Sequence, residues 1–568
     1  MKQNSKKKHQ ATSSPASSSK KKADNASLFA NLSGNSNFYS ILIALVVFAV
    51  LVIRWRFVNM PLERDEGEYA YFGHLILNGI TPYTEAYNMK LPGIYYMYAL
   101  IMAVFGESYR GIHIGFVLLN AGTMVLFFYA LKHFFSPMTA VLTAGFYGLM
   151  GMSMHVLGFA AHATHFSVFY VALSLFFFSK YEQKKTLLYA MLTGGMLGMS
   201  FLMKQQAVYF ILFGGIVFLI FEFMEKPVSL RKITRNIFAF SAGVFIPYAL
   251  VLLVMLVTGT FDKFWFWTVQ YAGAYVSGVP WSQGRELLSM TFTPIWNEFK
   301  WIWILAIAGA LIVSLTKFTL KQKIVALAFS LFAFLTTTPG FFFRQHYFVV
   351  FLPAGAMMAA IALDFAGQFI IKQIKVNVVG LALPLIVFFL LFNSVLSGSK
   401  WYYSTENPVG LCKAVYGTNP FTESVEIAKY INANSSDTDR IAVLGSEPQI
   451  SFYADRKSAT GHIYTYGLME IHEYNLKMQE EMIAEIEKNK PLFLVFCNIS
   501  MSWLSQKESP MKIFEWYGKY SQENYNIVGL VDIPDQGPSS IYWGADANRN
   551  PKNQNSVWVF KRKEEIKK

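Results

Sequence analysis

Residues 64–79 read RDEGEYAYFGHLILNG, followed by KLPG at 90–93. The stretch comes directly after an apolar run, Ile41 to Ile53, that is long enough with its flanks to cross a bilayer. Four acids, Glu63, Asp65, Glu66 and Glu68, crowd this segment in a chain where only 15% of residues are charged. Carboxylates at the mouth of a membrane span need water, cations or chemistry to hold them there. A solvated loop with helix-capping acids is the plainer alternative, and the rest of the chain has to decide between them.

Composition sets the class. The chain of 568 residues is 54% hydrophobic and 17% aromatic, whereas a soluble protein averages about 45–50% apolar and about 25% charged. The apolar residues fall in repeated long runs, so the expected fold is a polytopic α-helical membrane protein. The net charge of +14 does not point to nucleic acid. The first 25 residues hold seven Lys and one Asp, and most other basic clusters lie between apolar runs, which is the pattern of a cytoplasmic-side bias. Two cysteines, Cys412 and Cys497, imply no disulfide framework and no cysteine-based metal site. Residues 1–37, rich in Lys, Ser and Asn, read as a disordered basic tail on the cytoplasmic side.

A ruler of about 20 apolar residues per span places about eleven membrane helices, near 38–58, 111–131, 137–155, 164–180, 186–203, 207–224, 236–257, 299–316, 323–338, 346–366 and 377–397. With the N-terminus inside, the connections at Lys132–His133, Lys180–Lys185, Lys226–Arg235, Lys317–Lys323 and Lys372–Lys375 are all cytoplasmic, and all are basic as the positive-inside rule requires. The same assignment puts Arg64–Arg110, His162–His165, Lys204, Lys263–Arg285, Arg344–His346 and everything after 398 outside. The first outer loop is expected to hold two interfacial helices. One covers 66–78, with Tyr69, Phe72, Leu75 and Ile76 on a single apolar face and Asn78-Gly79 ending it; Asp65 is the alternative N-cap. The other covers 92–105, opening at Pro92. Tyr83, Tyr87, Tyr95, Tyr96 and Tyr98 are expected at headgroup level. A second outer loop, Phe261 to Met290, carries Trp265, Trp267, Tyr271, Tyr275 and Trp281, read as an interfacial aromatic belt with a lid over a sugar or lipid tail as the alternative. Residues 398–568 form an extracytoplasmic α/β domain, with strands at Ile441–Gly445, Leu492–Phe496, Ile527–Val531 and Val557–Phe560. Its helices are expected at Phe421–Asn432, near Glu447–Tyr453 and near Ile471–Lys488.

Topology reduces the outer-face charges to a short list: Asp65, Glu66, Lys90, His162, His165, Lys204, Arg344 and His346. Acids come from the first loop and cations from distant ones. Brought together, they suit transfer of a group from an anionic lipid phosphate to a hydroxyl, with a carboxylate as general base and cations on the leaving phosphate. Arg344 and His346 follow a broken helix end at Thr336–Gly340, where irregular backbone must line a cavity. Lys204 is either a phosphate ligand beside Gln205 and Gln206 or a snorkelling lysine. Tyr69, Tyr87, His162, His165, Gln205 and Tyr347 are the expected substrate lining. His162 and His165, three apart, offer a divalent metal two ligands beside Asp65 or Glu66, but a polar lining role is the simpler reading.

The order of span, RDEGEYAYFGHLILNG, aromatic loop, KLPG and short amphipathic helix resembles the GT-C glycosyltransferases, in particular bacterial family 39 enzymes akin to protein O-mannosyltransferases and the aminoarabinose transferase of lipid A. The resemblance covers 38–397. It implies Asp65 as general base, Glu66 as a supporting or acceptor-orienting acid, and Lys90 as a phosphate ligand. It also implies a polyprenyl-phosphate-linked sugar donor, an inverting transfer, an acceptor that is a protein, lipid or glycan, and a place in the cytoplasmic (inner) membrane among its lipids. A lipid or glycan transporter is the alternative, though no internal repeat of the two halves is visible. A non-catalytic receptor is a third reading.

Overall fold

The structure is a computed structural model that describes residues 36–374 and 377–564. The expected tail lies almost wholly outside the described residues, as does Lys375. Among the described residues the longer helices of the membrane half are α1 Ser36–Arg54, α2 Arg64–Leu77, α3 Gly93–Phe105, α4 Tyr109–Leu131, α5 Pro137–Met150, α6 Ala163–Lys184, α7 Leu187–Met203, α8 Val208–Met224, α9 Leu230–Val257, α10 Trp281–Glu298, α11 Lys300–Leu315, α12 Leu320–Leu335, α13 Leu352–Ile374 and α14 Asn377–Gly398. Seven described helices are long and apolar enough to cross a membrane, or eight if α10 and α11, bent by 98°, count as one. This is fewer than eleven, because α5, α7 and α12 have only 14, 17 and 16 residues. A polytopic helical membrane protein with a C-terminal α/β domain is what the chain forms.

Glycine sets how closely the helices approach. A Cβ on Gly194 of α7 would stand 2.0 Å from Phe240 O of α9, and one on Gly243 of α9 would stand 2.0 Å from Met191 O. Small residues permit such backbone contact where no hydrophobic effect drives helices together in lipid. One end of the bundle is basic and tied by ion pairs. Lys321 reaches Glu182 at 2.5 Å and Glu225 at 3.2 Å, Lys185 reaches Glu182 at 2.6 Å, and Gln322 Nε2 donates to Phe134 O. α6 runs from this end to His162 at the other, roughly 33 Å at 1.5 Å per residue, close to the thickness of a hydrocarbon core.

The outer-loop expectations need correction. α2 is not a one-faced amphipathic helix, because Ala70 and Tyr71 are as buried as Tyr69 and Phe72. Its N-cap is Glu63, not Asp65: Glu63 accepts from the Glu66 N–H and its own N–H donates to Glu66 Oε2, a reciprocal capping box. Of the five tyrosines expected at headgroups, Tyr83, Tyr95 and Tyr98 are fully enclosed, Tyr87 is buried, and only Tyr96 is exposed. The reason is packing that periodicity cannot reveal: the C-terminal domain lies on α2 and holds Tyr87 through Glu485, while Tyr83, Tyr95 and Tyr98 are packed among Tyr69, Phe72, Phe166 and Phe264. Residues 261–298 are largely helical, with a π-helical turn at Phe266–Tyr271, and only Trp265 and Trp281 of the suggested belt are strongly exposed, while Trp267 and Tyr271 are buried. The helix expected at 346–366 begins at Leu352, after a 3-10 turn at Gln345–Val350.

The C-terminal domain has a six-stranded sheet, β1 Arg440–Leu444, β2 Lys457–Ser458, β3 Phe493–Asn498, β4 Tyr525–Ile533, β5 Ser540–Trp543 and β6 Asn555–Arg562, in the order β2-β1-β3-β6-β4-β5. β2, β1 and β3 are parallel, and the remaining pairs are antiparallel. The four expected strands are present. β2 and β5 were not foreseen, one being two residues long and the other half-exposed. Helices α15 Phe421–Ala433, α16 Gln449–Ala454, α17 Asn475–Asn489 and α18 Lys512–Asn524 flank it. Cys412 and Cys497 are both buried and free.

Arg64 fastens this domain to α2. Its Nε donates to Ser446 O at 2.7 Å, its Nη2 donates to Glu447 Oε1 at 2.9 Å, and the guanidinium stacks on Phe421 and Tyr466. Gly67 completes the contact, since a Cβ there would lie 2.7 Å from Gln449 Cβ in α16. Removing one partner of a buried ion pair leaves the other charge stranded, at about 3–5 kcal/mol. Arg64→Met should therefore lower the unfolding temperature in detergent strongly, and Arg64→Met with Glu447→Leu should recover most of the loss. A single variant as stable as the parent would show that the pair does not join the two halves.

Candidate active site

At the end of the bundle opposite the ion-paired basic loops, a cavity of about 400 Å³ opens between the helices and the C-terminal domain. The RDEGE turn forms one wall. Lys90, carried by the loop before α3, places Nζ 2.9 Å from Asp65 Oδ1 and 2.6 Å from Glu68 Oε2. Asp65 and Glu68, three residues apart on one helix face, thus share one ammonium. Tyr95 OH donates to the other Glu68 oxygen at 2.8 Å, and Tyr464 OH of the C-terminal domain lies 3.3 Å from Asp65 Oδ1. Burial alone would push the Asp65 carboxyl up. Lys90 and the neighbouring His162 and His346 outweigh it and hold the carboxyl well below the usual aspartate value of 3.8.

Glu66 turns the other way. Its Oε1 accepts from the Ala161 N–H at 2.6 Å and from His113 Nε2 at 2.9 Å, while Oε2 closes the capping box. Both oxygens are engaged in fixing the start of α2, so Glu66 does not reach the cavity. This departs from an acceptor-orienting role.

The remaining cations line the same cavity. Lys204 ends α7 and stands with Nζ 3.4 Å from His346 Nε2 and 4.5 Å from the Tyr347 ring centre. His346 stacks on His162 at 4.3 Å between centroids, 14° from parallel. Arg344 is exposed at the cavity, its guanidinium 5.6 Å above Phe342. Burial, with Lys90 and Arg344 nearby, brings the Lys204 amine down to about 8. Gln205 lines the cavity while its Nε2 braces Met89 O and Thr268 O.

Of the residues expected at the site, Asp65, Tyr69, Lys90, His162, Lys204, Gln205, Arg344, His346 and Tyr347 share this cavity. Two do not. Tyr87 lies behind the wall, bonded to Glu485 and stacked with Trp267. His165 is fully buried against Phe116, because His162 has extended backbone at the N-cap of α6 and the two rings do not share a helix face. The pairing of His162 with His165 on a metal is therefore not formed. Asp65, His162 and His346 each offer one atom within 4.8 Å of the others. We do not assign them to a metal, since Lys90 on Asp65 and Lys204 on His346 already supply the positive charge. Glu68 could have been found from its i, i+3 spacing to Asp65. Tyr416, Tyr464, Tyr466 and Glu470, which the C-terminal domain adds to the wall, carry no local signal.

Residues 89–256 match the family model described as dolichyl-phosphate-mannose-protein mannosyltransferase. No curated protein sequence matches the chain. Among solved structures, ArnT from Cupriavidus metallidurans, bound to undecaprenyl phosphate, is 13% identical over 93% of this chain and 98% of its own, with a TM-score of 0.56. The apo oligosaccharyltransferase of Archaeoglobus fulgidus is 13% identical over 91% of this chain and 76% of its own, with a TM-score of 0.52. The chain has the GT-C fold. In it, the RDEGE turn and the loop before α3 stand at the bundle end that the C-terminal domain covers.

The Lys90 cluster gives a pH test. An acid whose folded-state value is depressed contributes stability that is fully present above its ordinary value and is lost as pH falls through the depressed one. In the parent protein the contribution of Asp65 should hold down to about pH 4 and decline below it. Lys90→Met leaves Asp65 and Glu68 facing each other and raises both, Glu68 from a value that burial already lifts. Its unfolding temperature should therefore rise more steeply than the parent's as pH drops from about 7 to about 4. Parallel curves for the two proteins would mean that Lys90 does not neutralise the pair.

Proposed function

We propose that the protein is a membrane glycosyltransferase that moves a sugar from a polyprenyl-phosphate donor to a hydroxyl of a protein, lipid or glycan acceptor, with inversion. The observation that carries the reading is the cavity itself, about 400 Å³, whose lining brings Asp65 together with Lys204 and Arg344. The match of residues 89–256 to the mannosyltransferase model supports it, since that stretch includes Lys90, His162 and Lys204. So does the likeness to ArnT, whose structure holds undecaprenyl phosphate.

In this reading Asp65 accepts the proton of the acceptor hydroxyl as its oxygen attacks the anomeric carbon from the face opposite the phosphate. The bond from that carbon to the phosphate oxygen breaks, and its electron pair leaves on the phosphate. Arg344 offers a planar two-pronged contact to the departing phosphate, and Lys204 adds a point charge. Lys90 holds Asp65 in place and stands near enough to share the phosphate charge, with His346 beside Lys204. Tyr69, Gln205 and Tyr347 shape the lining. Glu66 acts as a positioning residue through the capping box. The basic bundle end faces the cytoplasm by the positive-inside rule, which puts the cavity and residues 398–568 at the outer face of the cytoplasmic membrane, residues 38–397 in the membrane and 1–37 inside.

Sugar transfer by the purified protein from a polyprenyl-phosphate sugar tests this. Asp65→Asn should lower kcat by about 10²–10⁴, and Arg344→Ala should raise the KM for donor more than that for acceptor. Unchanged turnover in Asp65→Asn would overturn the role of that residue, and equal effects on both KM values would overturn that of Arg344. The Lys204 amine is protonated below about 8 and neutral above it, so donor affinity should fall as pH rises through that value. Lys204→Arg stays charged there and should bind donor without that decline.

A further inference from the structure

His162 sits between two carboxylates. Its Nδ1 lies 3.7 Å from Asp65 Oδ2 and 3.7 Å from Glu63 Oε1, and neither ring nitrogen has a closer hydrogen-bond partner although the ring is only 1% exposed. Stacking on His346 fixes the plane of the ring. One N–H therefore faces both acids, and all three residues line the cavity, Glu63 at 7% and His162 at 1% exposed. Hydrogen bonds of a resting site are often long and tighten only with substrate bound.

We propose that Glu63 is a positioning residue that stores the proton released by the acceptor, receiving it from Asp65 through His162 Nδ1. This rests on the transfer reading given above. Asp65, gripped by Lys90, binds a proton weakly and must pass it on to be ready for the next turnover. The acceptor O–H bond breaks, its oxygen bonds to the anomeric carbon, and its proton goes to Asp65 Oδ2. The imidazolium of His162 gives its Nδ1 proton to Glu63 Oε1, and Nδ1 takes the proton from Asp65. Asp65 is again a carboxylate, His162 is again charged, and Glu63 is a neutral acid that releases its proton to cavity water.

The surroundings fit the task. Burial and the charges of Asp65 and Glu66 push Glu63 upward and His162 pulls it down, leaving it at about 7. Burial lowers His162, but Glu63, Asp65 and Glu66 raise it, so the net direction is up. The other groups that act on the pair are His165, with Arg54 behind it, and His346, with Lys204 behind it. Tyr69, Tyr98, Tyr416 and Cys412 feel the Glu63 charge.

Glu63→Gln separates storage from capping, because the amide oxygen still accepts from the Glu66 N–H. In infrared difference spectra titrated from about pH 6 to about pH 8, the parent should show a carboxyl band that grows as pH falls with a midpoint near 7, Asp65→Asn should keep the band with a lower midpoint, and Glu63→Gln should lack it. No such band, or one that survives Glu63→Gln, overturns the proposal whether or not the protein transfers sugar. Kinetically, Glu63 must be ionised to receive the proton, so kcat of the parent should rise with pH through the same midpoint. Glu63→Gln should lose that rise and fall tenfold or more in kcat, with donor KM within twofold. Parental kcat and pH profile in Glu63→Gln, with Asp65→Asn inactive in the same assay, overturn the store and leave the transfer reading standing.

Discussion

A single ammonium bridging two acids at the base of a roofed cavity is the constraint from which the rest of the arrangement follows. Asp65 and Glu68 are three residues apart on α2, and with Lys90 removed they would face each other as like charges largely out of water. Shared between them, Lys90 offsets one of the two negative charges and holds Asp65 low, while burial keeps Glu68 raised. The loop from Tyr83 to Lys90 must then fold back on α2, and Tyr83 OH donating to Lys90 O at 2.6 Å pins it there. Helix α3 follows directly, and Tyr95 stacks on Phe72 at 3.8 Å while bonding Glu68.

The five residues of RDEGE divide their labour by direction. Arg64 reaches into the C-terminal domain, Asp65 faces the cavity, Glu66 ties to α4 and to the segment before α6, Gly67 lets α16 touch, and Glu68 holds Lys90. Each step of about 100° around the helix meets a different part of the molecule. Such a turn serves as a hub because it is surrounded on every side, which explains why three acids and an arginine sit in so apolar a chain.

The fold was readable where physics is local. Long apolar runs gave the helices, basic connections gave the two ends, and alternating apolar residues gave the four longer strands. The convergence of Asp65, Lys90, Lys204, Arg344 and His346 was inferable from the end of the bundle on which each one falls. Hidden from the sequence was everything that depends on distant packing: the cover that the C-terminal domain gives Tyr71 and Tyr87, the entry of Tyr464 into the cluster, and the enclosure of Tyr83, Tyr95 and Tyr98 among the helices. A pattern of period 3.6 reports which face of a helix is apolar, but it cannot say that a second layer covers the other face. His165 misled for a related reason: spacing of three means a shared face only when both residues are helical, and His162 is extended.

Because Tyr464, Tyr466, Glu470 and Tyr416 complete a wall whose other side is built by the helices, neither half of the chain owns the chamber. Relatives in which the two halves had been recombined would inherit mismatched walls and a misplaced Arg64 socket. The two modules are therefore bound to diverge in step, and the selectivity of the chamber is a property of their seam.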